Sequence, residues 1–129
     1  MPLQRRIDTD GWGPWSVKEG VLYAHAPTRA LEQIVALRVH LDDSGKMNGP
    51  LRVLPETHTR GVLSDEEIQE LSTSVFPVDC IACKGSVIAM RPLIVHASSK
   101  SLSAEPRRVL HIEYTAAMGI DGSLKIATA

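Results

Sequence analysis

The spacing of polar and apolar positions changes several times along the chain, and each change marks an element. Residues 1–20 are polar and rich in turn formers, with Asp10-Gly11-Trp12-Gly13-Pro14-Trp15 at their centre. Glycine and proline at that density stop helices and central strands, so the stretch predicts an ordered loop. Its two tryptophans are expected to cover core rather than to meet solvent. Gly20 to His25 predicts a short strand ended by Ala26-Pro27, and Thr28 is placed to cap a short helix through Gln33. From Leu37 the chain alternates: Leu37, Val39 and Leu41 share one face, Arg38 and His40 the other. That is the two-residue period of a strand. The turn-rich run from Asp43 to Pro50 and the apolar Leu51-Arg52-Val53-Leu54 predict the returning arm of a hairpin.

One helix carries its own start signal. In Ser64-Asp65-Glu66-Glu67 the serine can accept from the Glu67 amide while Glu67 reaches back, a capping box that predicts a helix to about Leu71. Beyond Pro77, strands are predicted at Gly85–Met90, Leu93–His96, Arg108–Tyr114 and Ser123–Ala127, the last after an Asp121-Gly122 turn. Many short strands separated by turn signals predict an all-β, mainly antiparallel sandwich or barrel with one or two short helices.

Composition narrows the setting. A chain of 129 residues, 43% hydrophobic, predicts a single domain over 1–129 whose core needs no disulfide or metal staple. Fourteen Lys+Arg against 15 Asp+Glu leave a net charge of −1, so there is no cationic excess for nucleic acid. No apolar run approaches the roughly 20 residues of a membrane span. With two cysteines and no secretory signal in view, a cytoplasmic location is expected. The Cys80-Ile81-Ala82-Cys83 pair lacks the helix start a redox pair needs and the second ligand pair a zinc site needs. It predicts two small buried side chains near a strand start. His25 and His58 read as surface residues, and His111 is compatible with either face.

Two constellations could carry chemistry. His96 closes an apolar strand and is followed eleven residues later by Arg107. A neutral imidazole there suits a metal, and a guanidinium nearby suits a carboxylate, although a hydrogen-bonded structural histidine fits the same pattern. His40-Leu41-Asp42 places imidazole and carboxylate on one face of a strand, and with His96 completes the two-histidine, one-carboxylate set of non-haem Fe(II) oxygenases. The alternative is that Asp42-Asp43 simply opens a turn.

The stretches VALRVHLDD (35–43), NGPLRVLPETH (48–58), RPLIVHASSKS (91–101) and PRRVLHIEYTA (106–116) resemble the phytanoyl-CoA dioxygenase family, over about residues 11–118. The loop GWGPWSVKEG (11–20) is similar to one in a bacterial branch of that family. The resemblance implies a double-stranded β-helix (jelly-roll, cupin-like) and an Fe(II)- and 2-oxoglutarate-dependent oxygenase that hydroxylates a small organic substrate. It matches His96 to the distal iron ligand and Arg107 to the arginine that binds the far carboxylate of 2-oxoglutarate, with Arg108 the alternative. Ser98 matches a hydroxyl that hydrogen-bonds the co-substrate, and Arg38 stands where some members have a pocket-lining tryptophan. Asn48 and Gly49 match residues that shape a turn, and Glu56 replaces the glycine of the family's P-G-S/T-H turn. The family's proximal H-x-D lies upstream of the GWGPWS loop. The chain is therefore expected to be N-terminally short, without those two ligands and without a catalytic residue of its own. Iron and 2-oxoglutarate are the family's cofactors, but negligible turnover is expected here. His40-Leu41-Asp42 aligns with the following strand, where relatives have nothing catalytic, and reads as a decoy. The competing expectation is a non-catalytic β-barrel module that binds or oligomerises, forming a homodimer through open sheet edges.

Overall fold

The structure, a computed structural model, describes residues 1–6, 8–116, 119–120 and 124–125. Its backbone divides into two compact units, Met1–Ile34 with Thr115–Ala129, and Val35–Tyr114.

In the first unit β1 (Pro2–Leu3) and β2 (Trp15–Lys18) both pair antiparallel with β3 (Val21–Ala24). The loop expected over residues 1–20 thus contains two strands. Lys18 opposes Val21, and the connecting Glu19 and Gly20 have φ of 51° and 79°. Positive φ at both central residues is the signature of a two-residue hairpin turn, whose twist matches that of the flanking strands. Proline and glycine fall before β2, not within it, so they do not block its ladder. A short helix α1 (Thr28–Leu31) follows, with Pro27 in the extended cap position and Thr28 opening the first turn rather than capping it. Leu3, Trp12, Ala24, Ala30 and Ile34 form the buried cluster, with Trp15 packed against it, so both tryptophans do cover core. The short strands β10 (Gly119–Ile120) and β11 (Leu124–Lys125) pair antiparallel, where a strand was expected from Ser123 to Ala127. Residues 123 and 126–127 of that expectation lie outside those described.

The second unit is built from two three-stranded sheets. One has the order β7-β4-β9, where β4 is Ile34–His40, β7 is Val87–Met90 and β9 is Val109–Thr115. The other has the order β6-β5-β8, with β6 Val78–Cys80, β5 Leu51–Val53 and β8 His96–Ser98. Consecutive β4 and β5 therefore do not form the expected hairpin. The turn between them carries the chain from one sheet to the other, as the alternation of a double-stranded β-helix requires. Among the described residues the sheets do not close into a barrel.

That crossing is fixed locally. Asn48, buried, accepts from the Gly45 amide through Oδ1 (2.8 Å) and donates through Nδ2 to the Asp43 carbonyl (2.8 Å). Gly49 sits at φ 68°, and a Cβ there would collide with the Ser99 carbonyl oxygen. Only glycine fits both the conformation and the close approach.

Helix α2 (Asp65–Ser74) forms where its start signal predicted, and runs three residues further than expected. The Ser64 amide donates to Glu67 Oε2 (2.7 Å), and the Glu67 amide donates to Ser64 Oγ (3.2 Å). The strand expected over Leu93–His96 begins only at His96. The Ile94 amide closes a turn onto the Arg91 carbonyl, which keeps Leu93 and Ile94 out of the ladder. No helix among the described residues is long and apolar enough to cross a membrane.

Candidate functional site

The face of β4 that turns inward carries polar as well as apolar side chains. Ile34, Ala36 and His40 are buried and Arg38 is half-buried, whereas Leu41 on the opposite face is exposed. The His40 backbone is held on both sides: its amide donates to the Ser86 carbonyl (2.9 Å), and its carbonyl accepts from the Gly85 amide (2.7 Å). Its imidazole, 1% exposed, has neither ring nitrogen hydrogen-bonded, and Arg38 Nε is buried without a partner as well. Burial first, then the positive charges of Arg38 and Arg107, hold the imidazole below its ordinary pKa, so it is neutral at pH 7. Burial and then Arg107 likewise lower the Arg38 guanidinium, partly opposed by the Cys80 thiol. Arg38, His40 and Arg107 therefore share one electrostatic environment.

The two adjacent arginines have different fates. Arg108 donates to Asp42 three times: its amide (2.8 Å) and Nε (2.9 Å) reach Oδ2, and Nη2 reaches Oδ1 (2.9 Å). The Leu41 amide donates to the Arg108 carbonyl (3.0 Å), which staples this segment to the end of β4. The hydrogen bonds from Arg108 hold the Asp42 carboxyl well below the usual carboxylate range. Arg107 has no such partner among the described residues, and its positive charge acts on Arg38 and His40.

The third component is β8. Val53 opposes His96 and Leu51 opposes Ser98, so His96 and Ser98 project from the same face of that sheet. His96 Nδ1 lies 2.7 Å from the Ile94 carbonyl. A carbonyl can only accept, so Nδ1 carries the proton and the Nε2 lone pair is left for another partner. Buried Thr57 sets the entry to this strand: its hydroxyl donates to the Leu54 carbonyl (2.8 Å) and accepts from the Val95 amide (2.9 Å). A groove of about 330 Å³ borders His96, with Val53, Leu54 and Val95 on one wall and Ile68 and Ser72 of α2 on the other.

The spacing-based set of His40, Asp42 and His96 is not assembled into one site. The Asp42 carboxylate is occupied by Arg108, and His40 and His96 stand on different sheets. Among the described residues no three His, Cys, Asp or Glu side chains are grouped to hold a metal. Cys80 lies in β6 and is half-buried while Cys83 is exposed, so only part of the expected burial occurs. Burial and neighbouring Asp79 raise the Cys80 thiol, the opposite of an activated thiolate. His25 is exposed as expected, whereas His58 is half-buried in the 3-10 turn Thr57–Thr59. Sequence reasoning passed over Thr57 as a positioning residue. It put Arg38 and His40 on one face of a strand, but the period alone does not say which face turns inward.

Two sheets of this order, with polar side chains turned inward, are the architecture of cupin-like Fe(II)/2-oxoglutarate oxygenases. The phytanoyl-CoA dioxygenase (PhyH) family pattern matches residues 9–109, and the chain belongs to that family. Among solved structures it is similar to iron-bound EctD from S. alaskensis (TM-score 0.60, 26% identity, 66% of this chain and 32% of that one). EctD is also known with 2-oxoglutarate and 5-hydroxyectoine bound (TM-score 0.60, 25% identity, 68% of this chain and 33% of that one). AviO1 from Streptomyces viridochromogenes Tue57 matches at TM-score 0.59 and 26% identity, over 83% of this chain and 45% of that one. The chain spans less than half the length of each of these structures. No curated protein sequence matches it.

Proposed function

We propose that this chain supplies the co-substrate-holding part of a 2-oxoglutarate-dependent oxygenase acting on a small organic molecule. The observation that carries the reading is the division between Arg107 and Arg108. With Arg108 tied to Asp42, Arg107 is the guanidinium left to take the far carboxylate of 2-oxoglutarate in a two-pronged hydrogen bond. The Ser98 hydroxyl, on the face of β8 shared with His96, would hydrogen-bond the same molecule. The buried unpaired Nε of Arg38 and the one N–H of a neutral His40 can donate to an anionic guest. Bound 2-oxoglutarate would supply the oxidative decarboxylation that such oxygenases couple to hydroxylation.

Iron fits less well. His96 offers Nε2 as one ligand, with Nδ1 fixed on a backbone carbonyl in the manner of metal-binding histidines. One imidazole does not make a selective site for a divalent ion, and the described residues provide no second and third donor beside it. The 129-residue chain on its own is therefore expected to form negligible succinate from 2-oxoglutarate and Fe(II). In a binding assay Arg107→Gln should abolish 2-oxoglutarate binding, whereas Arg108→Gln should spare it. The reverse pattern would overturn the assignment. Clear succinate formation that vanishes in His40→Ala and Asp42→Ala would show instead that these two residues do hold iron.

A further inference from the structure

We infer that two copies of this chain join through the open edges of β8 and β9, and that the joint holds a divalent cation between His96 of one copy and His111 and Glu113 of the other. Only the ligand role of His96 is taken from the oxygenase reading. Among the described residues β8 has β5 as its one neighbour and β9 has β4, so each strand leaves an edge free. The two edges carry complementary donors. On β9, His111 and Glu113 are two residues apart and share a face; both are exposed, and His111 Nε2 lies 3.6 Å from Glu113 Oε1. On β8, exposed His96 has Nδ1 against the Ile94 carbonyl, which leaves Nε2 for a metal.

The backbone of β8 is set to receive a strand at the same place. The Leu54 amide donates to the Val95 carbonyl (2.9 Å), while Val53 opposes His96 and Leu51 opposes Ser98. Hydrogen bonding alternates along an antiparallel ladder, so the amides and carbonyls of His96 and Ser98 point away from β5, toward the open edge. An incoming strand therefore pairs at His96 itself, and the side chain opposite comes within about 4.5–5.5 Å at Cβ, close enough to share one ion. With seven residues, β9 spans the three of β8. Within one chain the three donors do not meet: His96 stands on one sheet, His111 and Glu113 on the other, and no three such groups are gathered among the described residues. A second copy is the occupant that supplies what each edge lacks. Two imidazoles and one carboxylate suit Fe(II), Co(II) or Zn(II) and leave positions open on the ion. The joint holds an ion, and turnover is not presupposed.

The test uses the full 129-residue chain with Co(II) as the probe, followed by sedimentation and by the absorption of the bound ion. Relative to EDTA, Co(II) should tighten self-association about tenfold or more, as mass action requires of an ion that only the joined form holds. His96→Ala should lose the response, and so should a chain carrying both His111→Ala and Glu113→Gln. Mixing these two proteins should restore it, because one joint of the mixed pair then has all three donors. Circular dichroism establishes that each variant is folded, and restoration on mixing does not depend on the loss seen in either one alone. No restoration would overturn the shared site, as would equal association in Co(II) and EDTA or Co(II) held tightly by a chain that stays monomeric. The intense near-ultraviolet absorption of a cobalt–thiolate bond would also overturn it, by placing the ion on Cys80 and Cys83. Arg107→Gln, which removes the guanidinium that the 2-oxoglutarate reading depends on, should keep the full Co(II) response, so the two readings fail separately. Loss of the response in that variant would overturn the assigned donors.

Discussion

Glu56 holds a backbone conformation that its side chain disfavours, and relieving it should stabilise the protein. The residue sits at φ 64°, ψ 0°, in the left-handed region, at the start of the 3-10 turn that carries Thr57. For a residue with a Cβ that conformation costs about 1–2 kcal/mol. The Glu56 side chain is exposed and makes no hydrogen bond among the described residues, while its carbonyl accepts from Thr59 Oγ1 at 3.1 Å whatever the side chain. Glu56→Gly therefore removes strain and loses no contact. Set against this, glycine gives the unfolded chain extra freedom, about 0.5–1 kcal/mol. The net gain is about 0.75 kcal/mol at the centre of these ranges, or about 2–4 °C in Tm for a chain of this size. Urea unfolding of wild type, Glu56→Gly and Glu56→Val measures it. The glycine variant should shift the midpoint up without changing the slope, and the β-branched valine should shift it down by more than 1 kcal/mol. A glycine variant that unfolds at the wild-type midpoint or below would refute the claim that this turn is strained.

Three further outcomes follow from the same geometry. Thr57→Val keeps the shape but strands the Leu54 carbonyl and Val95 amide, so it should cost about 2–3 kcal/mol in urea unfolding and perturb the His96 resonances, whereas Thr57→Ser should cost under about 1 kcal/mol. The depressed Asp42 carboxyl contributes stability that is fully present above about pH 4 and is lost as pH falls through its folded value, so Asp42→Asn should flatten the acid limb of the stability profile. Because that pair is partly exposed, the difference should shrink in 1 M NaCl, and an identical acid limb for both proteins would refute it. We further propose self-association: Val87, Leu110 and Tyr114 are half-exposed or more on β7 and β9, and β8 and β9 are sheet edges among the described residues. Light scattering should find a dimer or larger, and a monodisperse monomer across a wide concentration range would count against it.

What the sequence disclosed depended on how local each signal was. Helix α2 starts where Ser64 and Glu67 said it would, because a capping box is satisfied within four residues. Strands β3, β4, β7 and β9 were legible from their period, give or take their ends. Strand pairing was not legible, because which strand neighbours β5 is decided by contacts with residues 78–80 and 96–98 rather than by the turn before it. The β2–β3 hairpin was missed although Glu19-Gly20 stood between two short apolar runs, since the dense Gly and Pro upstream dominated the reading. In the site, the motif match could mark Arg107, but only the Asp42–Arg108 bridge separates it physically from its neighbour.

The face of β4 holds the more general lesson. Periodicity establishes that Arg38 and His40 share a face, yet it is silent on which face turns inward. The inward face buries Ile34, Ala36 and His40, with Arg38 half-buried, whereas Leu37 and Val39 on the other face are half-buried and Leu41 beyond the strand is 45% exposed. Burying an unpaired polar group costs about 1–3 kcal/mol by itself, so an unpaired His40 is not what stability alone would select. Such a residue makes sense where the interior holds a polar guest, because the imidazole can then be hydrogen-bonded to it. The other buried polar residues of this unit divide: Ser44 Oγ has no hydrogen-bond partner among the described residues either, whereas Asn48 and Thr57 do. Asn48 and Thr57 are fully paired within the protein and serve its turns, whereas the nitrogens of His40 and Nε of Arg38 are paired with nothing described.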